Sequence, residues 1–216
     1  MKELTYTLVA DGPSDKCLER IINWTLGSAS SRQGTLLINP QFADYRDDPA
    51  PPRGLVDKLY RASQDFPCDI LFIHRDAERE DPEHRRSEIL NAATQVGLKS
   101  IVCIIPIRMT EAWLLFNEFA IRQAAGNPNG KTRLKLPAIT RIEALPDPKA
   151  VLYSALEVAS EATGRRLKQF QRDLPMLKLR IAEQIEDFSQ LRALSAFNNF
   201  EGEVRAVLAH LGLLQL

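Results

Sequence analysis

Two rhythms of apolar and polar positions share the first half of the chain. Four short apolar runs have the length of strands: Leu4 to Ala10 (LTYTLVA), Gly34 to Asn39 (GTLLIN), Ile70 to Ile73 (ILFI) and Ser100 to Ile105 (SIVCII). The third is apolar at every position, as in a strand covered on both faces inside a parallel sheet. Between the runs, about Asp15 to Leu26, Gly54 to Asp65 and Glu83 to Val96 read as helices. In the first turn Gly12 permits a tight bend, Pro13 suits a helix start and Ser14 is a good cap. Strands alternating with helices predict an α/β fold, a doubly wound and mainly parallel four-stranded sheet flanked by helices.

The second half changes character. Thr110 is placed to cap a helix running to about Ala125, apolar nearly all round and so expected to be buried. Asn127-Pro128-Asn129-Gly130 is turn chemistry. Asp147-Pro148 opens a helix to about Thr163, Gly164 ends it, and Arg165 begins the next. A last helix, about Phe197 to Leu211, carries Val204, Val207, Leu208 and Leu211 at helical spacing. The expected division is an α/β region over 1–125 and, over 126–216, a basic loop with an α-helical C-terminal extension packed on it.

Charge narrows the functional classes. The 28 basic and 28 acidic residues balance, so any polyanion contact has to come from local patches, not from overall attraction. Two patches stand out. Lys131, Arg133 and Lys135 alternate along the loop and share a face if it is extended, although lysine also protects exposed edges. Arg165, Arg166, Lys168, Arg172, Lys178 and Arg180 accompany a single acid, Asp173; such a face suits nucleic acid or simply solvent. Cys17, Cys68 and Cys103 are far apart and read as small buried residues of a reducing cytoplasm. His74, His84 and His210 lack zinc-ligand spacing. With no apolar run approaching roughly 18 residues, a cytoplasmic protein without a membrane span is expected.

The chemistry concentrates where apolar runs end in acids. Asp11 follows the first strand and Asp15 lies in the next helical turn, where an acid also complements the helix dipole. After Ile73 comes His74-Arg75-Asp76-Ala77-Glu78. If the extended geometry persists, His74, Asp76 and Glu78 point one way and Arg75 the other. Carboxylates ~4 Å apart repel by about 4 kcal/mol at an effective dielectric near 20, so a divalent cation, a basic partner or a raised pKa must hold them. Glu111 falls at the same sheet edge after the fourth strand, with pairing to Arg108 as the plainer account. Carboxylates gathered from separate segments suit Mg²⁺ or Mn²⁺ and phosphoryl transfer. No P-loop or dinucleotide fingerprint is present.

An acid-Gly-x-x-Asp turn after one strand (Asp11-Gly12-Pro13-Ser14-Asp15), followed two strands later by Asp-x-acid (Asp76-Ala77-Glu78), resembles the TOPRIM domain of topoisomerases, primases and OLD-type nucleases. VADGPSDK, FIHRDAERE and PIRMTEAWLL resemble more closely the small stand-alone TOPRIM-like proteins of the domain-of-unknown-function 4276 kind. The resemblance implies a TOPRIM-like fold. It implies that Asp11, Asp76 and Glu78 bind Mg²⁺ or Mn²⁺, that Asp15 adds a turn acid, and that Glu111 supplies the further acid of OLD-type sites. It also implies nuclease activity on DNA or RNA, with His74 or Arg75 on phosphate, and an anti-phage defence role beside a partner ATPase. The chain departs from the family pattern at Asp11, usually glutamate, and at Glu78, usually aspartate. That departure motivates the alternative of an inactive TOPRIM-like subunit that binds the ATPase or nucleic acid. A homodimer is compatible with either.

Overall fold

The computed structural model describes residues 2–30 and 36–214. Strands β1 (Lys2–Val9), β2 (Leu36–Phe42), β3 (Ile70–His74) and β4 (Ile101–Ile104) form one sheet in the order β2-β1-β3-β4, each neighbouring pair parallel. The expected parallel α/β sheet is therefore present. β2 runs beyond the expected Asn39 to Phe42 and includes Pro40, which an edge strand tolerates because one side of its backbone is unpaired. Gly34 and Thr35, expected to open that strand, lie outside the described residues.

Helices α1 (Leu18–Ala29), α2 (Gly54–Asp65) and α3 (Pro82–Val96) make the crossovers. Strand order reverses direction between β1 and β3, which sends α1 to one face and α2 and α3 to the other. α3 shows how local sequence sets its bounds. Asp81 accepts a hydrogen bond from Glu83 N (3.0 Å) at the start, and Gly97 stops the helix in the left-handed region at φ 80°.

The extension adds α4 (Glu118–Ala124), α5 (Pro148–Ser160), α6 (Gly164–Gln184) and α7 (Ser195–His210). The single helix expected from Thr110 to Ala125 is instead a 3₁₀ turn, Thr110–Leu114, and the separate α4. Two side chains account for the break. Asn117 caps a new helix by accepting from Ala120 N (2.9 Å), and the Thr110 hydroxyl is engaged elsewhere and caps nothing. α5 also stops early, at Ser160. Glu161 takes the left-handed conformation (φ 51°), and its carboxylate accepts from Lys131 N and Thr132 N, 2.9 Å each. Those bonds, that from Thr132 foremost, hold its pKa down at about 2. Gly164 accordingly opens α6 and does not close α5.

Two apolar clusters sandwich the sheet. Val9, Leu71 and Ile73 meet Leu59 and Ile89 under α2 and α3. On the other face Leu4, Tyr6, Leu8 and Phe72 belong to a larger cluster with Trp113, Leu177, Phe197 and Phe200, so residues on both sides of position 125 share one core. Trp113 packs edge-on to Phe197 at 5.5 Å between ring centres and tilted against Phe200 at 5.7 Å. α7 also closes the exposed edge of β4: Glu203 accepts from Cys103 N (2.7 Å) and from Arg86 Nε (2.9 Å), occupying a donor that would otherwise invite another strand. Among the described residues no helix is long and apolar enough to cross a membrane.

Phe200→Ala is expected to remove about 3–5 kcal/mol of stability. Urea denaturation should show one transition shifted as a whole, because the ring touches both halves of the chain; two transitions, only one of them shifted, would contradict a shared core.

Candidate functional site

The carboxyl ends of all four strands lie on one edge, and the pleat decides what gathers there. In β3, Ile70 and Phe72 face the larger cluster while Leu71 and Ile73 face α2 and α3. His74 and Asp76 continue on the first side, and Arg75 on the second. Arg75 Nη1 meets Glu88 of α3 at 3.1 Å, and its Nε lies 3.3 Å from Asp11. The same parity holds in β1: Ala10 faces the larger cluster and Val9 the smaller, so Asp11 follows Val9 to the Arg75 side.

On the side of the larger cluster, charges from four segments converge. Asp15 sits in the 3₁₀ turn Pro13–Cys17 that precedes α1, where its Oδ2 accepts from Gly12 N at 3.1 Å. Glu111 lies in the turn after β4. Lys178 Nζ is 3.4 Å from Asp15 Oδ1 and 3.3 Å from Glu111 Oε1, and all three residues are buried. Lys178 reaches this place because α6 turns Leu174, Leu177, Lys178 and Ile181 inward, an apolar stripe interrupted by one ammonium. Burial opposes the Lys178 charge, but Cys17, Glu111 and Asp15 favour it and together hold its pKa above the ordinary lysine value. Cys17 itself is a neutral thiol, its pKa pushed up to about 12 by burial, so at neutral pH the two carboxylates do the holding.

The second half of the cluster is a proton-sharing set. His74 Nδ1 lies 3.1 Å from the Ile104 carbonyl; an oxygen that only accepts requires the proton on Nδ1. His74 Nε2 then faces Thr110 Oγ1 at 3.1 Å, Asp76 Oδ1 at 3.5 Å and Asp15 Oδ2 at 3.9 Å. Asp76 Oδ1 also accepts from Thr110 N at 2.9 Å and lies 3.2 Å from the Thr110 hydroxyl. That hydroxyl has one proton for two acceptors, so a proton held on Asp76 completes the set. Burial pushes the Asp76 pKa up to about 6; Asp15 and Glu111 push the same way, while His74 and Lys178 oppose them. The Asp76 side chain remains 29% exposed, which leaves it the group that solvent and ligand can reach.

Of the expected acids, Asp15, Asp76 and Glu111 come together, and Asp11 and Glu78 stay apart from them. Asp11 is 61% exposed beside Arg75, sent there by strand parity. Glu78 is 67% exposed and faces Arg85 at 3.9 Å, because β3 ends at His74 and the loop curls back. Glu78 adopts φ 54° with its N–H on the Arg108 carbonyl (3.0 Å). Arg108 donates to the Glu78 carbonyl and does not pair with Glu111, whose partner is Lys178. Lys131, Arg133, Lys135, Arg165, Arg166 and Lys168 are all exposed, with no ion pair among the described residues. Lys178, counted from the sequence with that basic face, points inward instead. Its position three and four residues from Leu174, Leu177 and Ile181 was the available signal, since a charge inside an apolar stripe needs a buried partner.

The oxygen donors suit a hard cation. They are gathered around Lys178, however, and among the described residues no three His, Cys, Asp or Glu side chains stand at metal-holding spacing.

Asp76 supplies a pH test in chelator. A carboxyl whose folded pKa exceeds its unfolded value contributes stability that is complete below about pH 4 and is lost as pH rises through about 6. Asp76→Asn keeps an acceptor for Thr110 N and removes the ionisation. It is expected to be more stable than the parent above about pH 7 by on the order of 1–3 kcal/mol, with no advantage near pH 4. Denaturant titrations at the two pH values measure the difference; an equal effect at both would show that Asp76 ionises freely. No family model, curated protein or solved structure matches this chain, and its function is therefore read from the geometry of the site.

Proposed function

We propose that the chain is a divalent-metal-dependent nuclease, hydrolysing phosphodiester bonds of DNA or RNA at the Asp15, Asp76 and Glu111 edge. One observation carries this reading: three carboxyls from the segments after β1, β3 and β4 are drawn around one lysine and one histidine at the sheet edge where α/β folds bind ligands. Burying such a set serves the fold poorly, since apolar side chains of like volume stabilise as well or better. A raised acid pKa in a partly open cluster is a mark of a working site.

Asp76, Asp15 and Glu111, which do not stand at metal-holding spacing around Lys178, would have to draw closer to hold Mg²⁺ or Mn²⁺, which when bound polarises a phosphate oxygen and acidifies water. The chain's own groups do the rest. Asp76, partly open and next to His74, can take and return a proton at its carboxyl oxygen. Lys178 fixes the Asp15 and Glu111 carboxylates and offers positive charge to developing anion. Arg75, at the edge of the neighbouring cavity, suits an adjoining phosphate. The exposed cations Lys131, Arg133, Lys135, Arg165, Arg166 and Lys168 give a polyanion local attraction that the neutral whole does not. A cytoplasmic defence role with a partner ATPase, and possible pairing of two copies, belong to this proposal through the TOPRIM resemblance.

A second reading is favoured by one contact set. Lys178 Nζ already sits between Asp15 and Glu111, so an ammonium fills the place of a cation, as in an inactive subunit that binds the ATPase or nucleic acid.

The purified chain, alone and with a partner ATPase, incubated with DNA and RNA in Mg²⁺ or Mn²⁺, is expected to cleave one of them. Asp76→Ala should lower the rate by about 100-fold or more. Undiminished cleavage by Asp76→Ala rejects the nuclease site. Absence of cleavage, with no rise in melting temperature on adding either metal, selects the inactive subunit, because a ligand that binds the folded state stabilises it by linkage.

Lys178→Met distinguishes the roles of the lysine. It leaves two buried carboxylates unpaired and is expected to cost about 3–5 kcal/mol. Part of that loss should return on adding Mn²⁺ if the acids can hold a cation, a recovery that melting curves with and without metal would show.

A further inference from the structure

On the Arg75 side of the β1 turn lies a cavity of about 360 Å³ that the acidic cluster does not use. The two are back to back: Gly12 and Pro13 line the cavity, while Gly12 N is bonded to Asp15 on the cluster side. Its apolar lining includes Tyr45, Pro51, Pro52 and Leu55. The Tyr45 ring is fixed in place, with the Arg61 guanidinium 4.9 Å from its centre and Phe66 edge-on at 6.0 Å.

The charged lining is mixed with a cationic excess: Lys58, Arg75 and Arg46 stand against Asp11, which is 3.3 Å from Arg75 Nε, and Asp44, which pairs with Arg46. Lys58, half-buried, bonds through its ammonium to the Ala10 carbonyl at the tip of β1. No carboxylate lies within ion-pair distance of it among the described residues. A lysine drawn partly out of water without an acid is poorly compensated, and its other two N–H groups remain for an anion. Arg75 lines the same cavity, as do Gly54 and Leu55 from the first turn of α2. The N-cap Arg53 supplies no side-chain cap to that turn, and Asp57 in it accepts from Arg53 N at 2.6 Å and offsets part of the helix dipole. The volume is that of a small-molecule site.

Apolar lining together with a cationic excess, in which Lys58 alone has no acid partner among the described residues, is complementary to a ring joined to a phosphate. We propose that this cavity seats a nucleoside monophosphate unit, its base against Tyr45 and Pro51 and its phosphate on Lys58 and Arg75. The inference deepens the nuclease reading by giving a strand a second anchor beside the reacting phosphate. The unit is either a free nucleotide or one residue of a nucleic-acid strand.

Binding is measured on the full chain in chelator, where no cleavage can occur. The probes are inorganic phosphate, adenosine 5′-monophosphate and a four-residue oligothymidylate, followed by calorimetry and amide NMR shifts. The mononucleotide is expected to bind at least about tenfold more tightly than phosphate, as burial of a ring against an apolar lining requires, and to shift the amides of residues 54, 55 and 58. Lys58→Met should weaken it by about tenfold or more. Leu55→Glu, which keeps Lys58 but sets a competing carboxylate three residues before it on α2, should do the same, so the result does not hang on how one variant folds.

Tighter binding of the oligonucleotide than of the mononucleotide identifies a strand segment; equal binding identifies a free nucleotide. No saturable binding of either, phosphate bound as tightly as the mononucleotide, or binding unmoved by both variants overturns the proposal. Because these measurements need no catalysis, nucleotide binding by a chain that cleaves nothing leaves the cavity's role standing and removes only the nuclease reading.

Discussion

A pleated strand sends successive side chains to opposite faces, and the carboxyl edge of this protein is sorted by that constraint. β1 and β3 run parallel with Val9 beside Ile73. Odd-numbered Asp11 and Arg75 leave toward α2 and α3, while even-numbered His74 and Asp76 leave toward α6. Two chemically different places result from one edge. An open cavity with Lys58 and Arg75 lies on one side, and a nearly closed cluster of acids, imidazole and ammonium lies on the other. The loop after β2 lines the cavity with Tyr45, Pro51 and Pro52, and two 3₁₀ turns bring Asp15 and Glu111 to the cluster. The pleat separates the charges, and the helices packed on each face decide whether they stay wet.

The cluster depends on its cation. Asp15 and Glu111 are both buried and would repel each other in a medium of low dielectric. Lys178 between them turns that repulsion into two attractions, and α6 is pinned to the sheet edge at the same point. Asp76 is treated differently. It receives Thr110 N and stands near His74, but its nearest full charges include two acids, so its ionisation is opposed and not assisted. Two carboxylates clamped by an ammonium and one carboxyl whose ionisation is opposed thus stand side by side in one cluster.

How much of this was legible in the sequence follows the range of the interactions. The strands and crossover helices are local patterns and read directly, as does the placing of Asp76 opposite Arg75. The same parity applied to Asp11 separates it from Asp76, because Val9 and Ile73 share a face. Glu78 was misplaced by letting alternation run past His74, where the loop takes a left-handed residue instead. The helix expected from Thr110 failed because propensity ignores what the threonine hydroxyl does in three dimensions: it bonds His74, 36 residues away, and does not cap. Lys178 meets Asp15 across 163 residues. No local pattern names that partner, although a lysine between Leu177 and Ile181 announces that one must exist.

The two sides of the edge are coupled through one turn, and this limits what either can do alone. Gly12 gives its N–H to Asp15 and its surface to the cavity, so a ligand that presses on the β1 turn from the Arg75 side bears on the carboxylate that Lys178 holds. Asp15 lies 3.9 Å from His74, and His74 lies 3.5 Å from Asp76. A run of contacts, from Lys58 to the Ala10 carbonyl and from Gly12 to Asp15 and on to His74, thus spans the edge from the cavity to the cluster. The parallel register of β1 and β3, with Val9 beside Ile73, sets where that run of contacts begins and ends.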